Sequence, residues 1–134
     1  MQDAPTPEQL LAAVARYLRD EAGPALAGHG DNALAYHARV AANMLDTVRR
    51  QGLLAPAADA AERARLQTLL VSADDDLAIL NRQLAEALSQ GRLDGTQPAL
   101  ADHLWRTTFD KLAVDQPGYD TYRRLADPPP SPDA

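Results

Sequence analysis

Two helix-forming residues dominate this chain, and that composition constrains its fold more than any other feature. The chain contains 27 alanines and 20 leucines, but valine and isoleucine together contribute only 6 residues. Aromatic residues make up 4%. Alanine, leucine and arginine favour helix, whereas strands favour β-branched and aromatic side chains. We therefore predict an all-α fold and exclude a β-sandwich or a parallel-sheet enzyme.

The spacing of apolar residues and helix-ending residues predicts about five helices in one domain of an antiparallel bundle. Thr6-Pro7-Glu8-Gln9 is typical of a helix start with a capping box. The first expected helix ends at Gly23-Pro24, and the second runs from about Asp31 to Gln51, before Gly52. The third runs from Pro56 to about Ser72, the fourth from Leu77 to Gly91, and the fifth from Thr96-Gln97-Pro98 to Gln116-Pro117-Gly118. One or two further turns are expected over Tyr119 to Leu125. This domain spans residues 6–126. Residues 127–134 include four prolines and are predicted to be a disordered tail.

Several functional classes are disfavoured by what the sequence lacks. It has no cysteine, which excludes disulfides, thiolate nucleophiles and cysteine-ligated metals. Its net charge of −6 disfavours general binding to nucleic acid. No apolar run approaches the length of about 18 residues that a membrane helix needs, and the N-terminus resembles no secretory signal. We expect a cytoplasmic protein that binds neither membranes nor nucleic acid.

Motifs for catalysis or metal binding are weak. Asp74-Asp75-Asp76 precedes a helix, where one aspartate is expected to act as the N-cap. The three histidines, His29, His37 and His103, show no metal-ligand spacing, so neither a metal nor another cofactor is predicted. An enzyme with His37 or Asp94 as its acid–base group remains an alternative, but nothing in the sequence requires catalysis.

Polar side chains on apolar helix faces are the most informative positions. Asn81 shares a face with Leu77 and Leu84, and Lys111 lies within about 20° of Leu100 on a helical wheel. Arg39 and Asn43 lie on a helix that the pattern predicts to be covered on two sides. Buried polar groups need hydrogen-bond partners.

Two interpretations of these polar positions stay open. The first is a structural network, in which Asn81 bonds a backbone carbonyl, Arg39 pairs with an aspartate and the Lys111 ammonium reaches water. The second is a cleft for an anionic ligand or for an acidic segment of a partner, lined by Tyr36, Arg39, Asn43, Asn81 and Lys111.

Three blocks of the sequence resemble a small bacterial family that is a domain of unknown function. The blocks are Tyr36-His37-Ala38-Arg39-Val40-Ala41-Ala42-Asn43, then Leu80-Asn81-Arg82 through Gly91-Arg92-Leu93-Asp94, then Lys111-Leu112-Ala113-Val114 with Pro117 and Tyr119, and the opening Leu10-Leu11-Ala12-Ala13-Val14 extends them. The family more often has Asn where this chain has Gln116. The genes of this family typically lie beside, or are fused to, those of aminoglycoside-phosphotransferase-like kinases, often near acyl-CoA dehydrogenases. The resemblance therefore implies an accessory role near acyl-CoA metabolism.

Together, the missing catalytic motifs and the resemblance predict a non-catalytic accessory or interaction protein. Its expected partner is a phosphotransferase-like kinase or an acyl-CoA dehydrogenase. The alternative is a small helical protein that binds an anionic ligand through Arg39 and Lys111. A homodimer fits either function, with Leu53-Leu54 or an exposed Trp105 as candidate contacts.

Overall fold

A computed structural model describes residues 4–126, and all regular structure among them is helical. The elements are α1 (Pro7–Tyr17), a π-helical turn (Leu18–Ala22), α2 (Gly23–Gly28), α3 (Asn32–Leu70), α4 (Leu77–Ser89), α5 (Pro98–Asp115) and α6 (Asp120–Ala126). The first three follow one another without a break, so the described chain has five helical stretches. The predicted all-α class is confirmed. The predicted tail, residues 127–134, lies outside the described residues.

The chain divides into two compact units, Met1–Leu53 and Leu54–Ala134, called here the first and the second unit. In the first unit, the buried apolar residues are all alanines: Ala15, Ala35, Ala38 and Ala42. In the second unit, the core is a leucine cluster with partly buried leucines packed against it, and its buried members are Leu66, Leu80, Leu84 and Leu100. The two units are therefore built from side chains of different size.

Helix α1 begins as its sequence predicts. The Thr6 hydroxyl accepts a hydrogen bond from the backbone amide of Gln9 at 3.3 Å, and the Gln9 side chain accepts one from the Thr6 amide at 2.8 Å. These two bonds form the expected capping box, with Pro7 at the first helical position.

The predicted helix end at Gly23-Pro24 is wrong, because the helical path continues to Gly28. A π-helical turn precedes the proline, and the Gly23 amide donates to the carbonyl of Leu18. Pro24 then falls in the first turn of α2, where a missing backbone N–H is tolerated. A side chain at position 23 would place its Cβ 3.1 Å from the Leu18 carbonyl oxygen and 4.0 Å from the Ala38 Cβ. The tight contact is the one to the Leu18 carbonyl, so glycine at this position relieves crowding inside the π-helical turn.

The predicted break between Gly52 and Pro56 is also wrong, since α3 is one helix of 39 residues with Pro56 inside it. Pro56 cannot donate a hydrogen bond to the Gly52 carbonyl, and an interior proline costs a helix about 3 kcal/mol. Burial holds the helix on both sides of this point. Ala35, Ala38 and Ala42 are buried in the first unit, and Leu66 is buried in the second.

The ends of α4 follow the prediction more closely. The Asp76 carboxylate accepts hydrogen bonds from the amides of Ala78 and Ile79 at 2.8 and 3.1 Å, as expected for an N-cap. At the other end, the Arg92 amide donates to the Ala87 carbonyl at 2.9 Å and closes the helix around Gly91. Local capping chemistry therefore sets both ends of this helix.

Candidate functional site

An exposed face of α3 in the first unit contains three of the five predicted site residues. Tyr36, Arg39 and Asn43 are all exposed, and Tyr36 retains 61% of its accessible surface. On a helical wheel, Tyr36 and Asn43 lie more than about 100° from the centre of the buried alanine row. The prediction that this helix is covered on two sides is therefore wrong. The mixed large residues on this side of the helix do not form a second buried face.

Apolar residues four positions apart form a ridge along this face, and the term apolar ridge below means Tyr36, Val40, Met44 and Val48. Met44 is 65% exposed and Val48 is also exposed, while Val40 is partly buried. Ridges with this spacing are the ones that fit into grooves on a second helix. Arg39 and Asn43 flank the ridge. The face thus combines exposed apolar area with polar groups that can donate hydrogen bonds.

Arg39 also lines a cavity of about 220 Å³ in the first unit, together with Leu18, Arg19, Gly23, Pro24, Ala27 and Ala35. The structural interpretation expected Arg39 to pair with an aspartate, but within residues 4–126 its guanidinium has no ion-pair or hydrogen-bond partner. Arg19 makes such a pair instead, at 2.6 Å from Asp46. The Arg39 guanidinium is therefore available to an external group.

Asn81 and Lys111, the other two predicted site residues, lie in the second unit and are exposed. The expectation that they point inward is wrong. Asn81 lies about 90° from the centre of the buried row of α4, and Lys111 about 50° from that of α5. Their leucine neighbours at the margin of each face, Leu88 and Leu104, are exposed as well.

Asn81 has a structural role. Its amide group donates to the Leu77 carbonyl at 3.0 Å, as the structural interpretation expected, and to the Glu62 carboxylate at 2.9 Å. The second bond joins α4 to α3. Lys111 has no hydrogen-bond or ion-pair partner in the described part of the chain. Whether these two residues bind a ligand with Arg39 stays a prediction.

His103 is the buried polar residue that sequence reasoning missed. Only 2% of its surface is accessible, and its Nδ1 atom has no hydrogen-bond partner in the described chain. Burial lowers the pKa of His103, and the positive charge of Arg65 lowers it further, while Glu62 and Asp102 act in the opposite direction. A signal was present, because His103 lies three residues after Leu100 on the same face. No second metal-ligating residue lies at a typical spacing from His103, so the sequence gives no further reason to single it out.

Arg65, whose charge acts on the pKa of His103, makes its own contacts with α5. Its guanidinium donates to the Thr107 hydroxyl at 3.3 Å and lies 3.5 Å from the Asp110 carboxylate. Arg65 and Asp110 also line a shallow groove of about 410 Å³ whose other residues are mostly small, namely Leu54, Ala57, Ala58, Ala61, Arg106 and Ala113. Each arginine of the groove already faces a carboxylate, since Arg106 pairs with Asp102 at 2.8 Å.

The two acid–base candidates are both exposed. His37 stands edge-on to Tyr36, with 5.8 Å between ring centroids. The pKa of Asp94 is lowered because the Thr96 side chain and backbone both donate hydrogen bonds to its carboxylate. This shift keeps Asp94 ionised, which is the opposite of what a general acid needs. Residues 4–126 contain no group of three or more side chains able to hold a metal ion.

These features define the class as an all-α protein whose candidate site is an exposed helix face with apolar and basic residues. Residues 24–119 match the family described as Domain of unknown function (DUF6285), and the chain belongs to this family. The predicted domain of unknown function is therefore confirmed, although the Leu10–Val14 opening lies outside the matched range. No curated protein and no solved structure matches the chain. Within the described residues, no helix combines the length and the apolar composition that crossing a membrane requires.

Proposed function

We propose that this protein is a non-catalytic accessory module that binds a partner protein through the apolar ridge of α3. The observation that supports this proposal is the exposure of Tyr36, Met44 and Val48 in one row, opposite the buried alanines. Tyrosine, methionine and arginine are enriched in protein–protein interfaces. A row of such residues at a spacing of four fits the groove of a partner helix.

The polar residues beside the ridge add specificity to this interface. Arg39 has no partner among the described residues, and an arginine guanidinium can bind a carboxylate through two parallel hydrogen bonds. We infer that Arg39 pairs with an acidic side chain of the partner while the ridge packs beside it. The expected partner is an aminoglycoside-phosphotransferase-like kinase or an acyl-CoA dehydrogenase, as the resemblance of the sequence blocks implies.

Binding to each of these two purified enzymes, taken from the native host, tests the proposal directly. The variant combines Tyr36→Ser with Met44→Ser, which removes the two most exposed large side chains of the ridge. We expect Kd to rise by at least about tenfold, since a residue at the centre of an interface contributes roughly 1–2 kcal/mol or more. Isothermal titration calorimetry with one enzyme at a time provides the measurement.

The matched control combines Val71→Ser with Leu125→Ser, which removes exposed apolar side chains of the second unit instead. This control should bind with the Kd of the native chain. If neither enzyme binds the native chain, or if both variants lose affinity equally, the ridge is not the interface. Circular dichroism of all three proteins establishes that the helices remain folded.

Binding of a small anion is the second candidate function. Arg39 favours it, because its guanidinium lines the 220 Å³ cavity and pairs with no side chain of residues 4–126. The cavity is smaller than the roughly 300 Å³ at which drug-sized ligand sites begin, so only a group such as phosphate or a carboxylate fits. The Arg19–Asp46 ion pair at its margin weakens the local positive potential. A thermal-shift assay with inorganic phosphate should show stabilisation of the native chain and none for Arg39→Gln.

A further inference from the structure

The cavity of the first unit lies between residues 18–27 and the first turns of α3. A Cβ atom at Gly23 would lie 3.8 Å from the Ala35 carbonyl oxygen, so the chain passes near α3 at the start of α2. Further along α2, the small side chain of Ala27 leaves a space of about 220 Å³ that is open to ligands. All residues around this space belong to the first unit.

Apolar groups form most of the wall of this cavity. Seven residues line it, and five of them have hydrocarbon side chains or none, namely Leu18, Gly23, Pro24, Ala27 and Ala35. None of the seven is acidic. An ion that is enclosed by such walls loses hydration without gaining hydrogen bonds from them. A ligand that fits the cavity therefore has an apolar part as well as a charged one.

The charge at the cavity comes from two arginines, and one of them is already paired. Arg19 lies 2.6 Å from the Asp46 carboxylate, whereas the Arg39 guanidinium pairs with no side chain of residues 4–126. A single guanidinium binds a carboxylate through two parallel hydrogen bonds. A phosphate group carries about −1.5 to −2 charges at neutral pH and needs more donors than one arginine supplies. The cavity therefore suits a carboxylate with one negative charge better than it suits phosphate.

The volume of the cavity limits the length of the apolar part. One water molecule takes up about 30 Å³ of the liquid, so 220 Å³ corresponds to about seven non-hydrogen atoms. The carboxylate group uses three of these atoms, which leaves room for about four more carbons. A longer chain would extend into the solvent and would gain nothing from its additional methylenes.

We propose that this cavity binds short aliphatic carboxylates of about three to five carbon atoms. The carboxylate pairs with Arg39, and the alkyl chain packs against Pro24, Ala27 and Ala35. This inference rests on the second candidate function, the binding of a small anion, and it gives that anion its chemical class. The binding energy is then divided between one charged contact and a hydrocarbon wall.

Nuclear magnetic resonance titration of the isotope-labelled full chain tests this inference, with the sodium salts of acetate, propanoate, butanoate, pentanoate and octanoate at constant ionic strength. We expect Kd to fall about two- to fourfold for each methylene from acetate to pentanoate, because each methylene enters the apolar cavity. Octanoate should gain nothing over pentanoate. Inorganic phosphate should bind more weakly than propanoate. The amide signals that shift should be those of α2 and of the first turns of α3.

Three variants separate the two contacts of the ligand. Ala27→Leu fills the cavity from an exposed position, so it should still bind acetate but should lose the gain with chain length. Ala25→Leu is the matched control, since Ala25 is exposed on the same helix outside the cavity, and it should keep that gain. Arg39→Gln should weaken the binding of every carboxylate by at least about tenfold.

A gain with chain length that Ala27→Leu removes, together with weak binding in Arg39→Gln, supports the proposal. Equal Kd values for acetate and pentanoate, both lost in Arg39→Gln, would overturn the aliphatic site but leave anion binding at Arg39 in place. If neither phosphate nor any carboxylate shifts the signals, both ideas are overturned. A gain with chain length that persists in Ala27→Leu would also overturn the proposal, because the alkyl chain then binds elsewhere. Circular dichroism of each variant establishes that its helices are intact.

Discussion

The two units of this chain bury apolar side chains of different size. In the first unit the fully buried apolar residues are alanines, and several larger apolar residues are exposed, namely Leu10, Val14, Tyr17, Met44 and Val48. The second unit buries Leu66, Leu80, Leu84 and Leu100 in one cluster. Small buried residues allow helices to approach closely, but they remove little apolar area from water. The difference between the two units is therefore the size of the side chains that each of them buries.

The largest expected effect comes from removing a leucine of the second unit. Leu66 is fully buried in the leucine cluster, so Leu66→Ala leaves a cavity and should lower the free energy of unfolding by about 2–5 kcal/mol. Urea unfolding followed by circular dichroism measures this loss. The control Leu125→Ala changes an exposed leucine and should stay within about 0.5 kcal/mol. Similar losses in both variants would show that the cluster is not the core.

The reverse change should damage the first unit. Ala42 is fully buried on α3, so Ala42→Leu adds volume where no space is available and should cost about 1–3 kcal/mol. The same substitution at Ala33, which is exposed on the same helix, should have almost no effect. Urea unfolding of both variants provides the comparison. If the first unit tolerates leucine at position 42, its alanines are not in close helix contacts.

The contrast between the units also explains how far the sequence could predict the fold. The all-α class follows from composition, and the caps at Thr6 and Asp76 follow from local hydrogen bonding, which needs only a few adjacent residues. The predicted break at Gly52 is wrong because residues buried on both sides of it outweigh a local helix-breaking signal. The predicted end at Gly23-Pro24 is wrong because a π-helical turn places Pro24 in the first turn of α2, where proline is tolerated. No single-residue propensity contains that information.

The orientation of the helices was harder to predict, and the candidate site depended on it. The predicted faces were centred on leucines, but alanines occupy the centre of the buried face in α3, and His103 shares it in α5. A face centred on leucines predicts that Asn81 and Lys111 point inward, although both are exposed. Tyr36, Arg39 and Asn43 were correctly grouped on one face of one helix, since a spacing of three and four residues decides that without tertiary information.

Protonation should distinguish the units further, because His103 is the buried polar side chain of the second unit. Its folded-state pKa lies below the ordinary value of 6.5, chiefly through burial. The unfolded chain then binds more protons than the folded chain, so stability rises with pH. The contribution of His103 to the free energy of unfolding is complete above about pH 6.5 and is lost as pH falls through its folded-state pKa.

Urea titrations at several pH values between about 4 and 8 measure this effect. His103→Gln should reduce the slope of unfolding free energy against pH below 6.5. His37→Gln is the control, since His37 is exposed, and it should keep the slope of the native chain. An unchanged slope in His103→Gln would show that another group causes the pH dependence.

The smallest expected effect concerns two helix ends that share one geometry but differ in residue. After α2, Gly30 has φ +85° and the Asp31 amide donates to the Leu26 carbonyl. After α3, Val71 has φ +51°, and the Ser72 amide donates to the Gln67 carbonyl in the same pattern. Glycine accepts a left-handed conformation without strain, whereas a β-branched residue pays about 1–2 kcal/mol.

Val71→Gly should therefore raise the free energy of unfolding, and the net gain should be no more than about 1 kcal/mol because glycine also increases the entropy of the unfolded chain. The Val71 side chain is 93% exposed, so little packing is lost. Gly30→Val is the converse change and should destabilise the first unit by about 1–2 kcal/mol. Thermal and urea unfolding measure both variants. A loss of stability in Val71→Gly would mean that the valine side chain has a stabilising contact that outweighs its backbone strain.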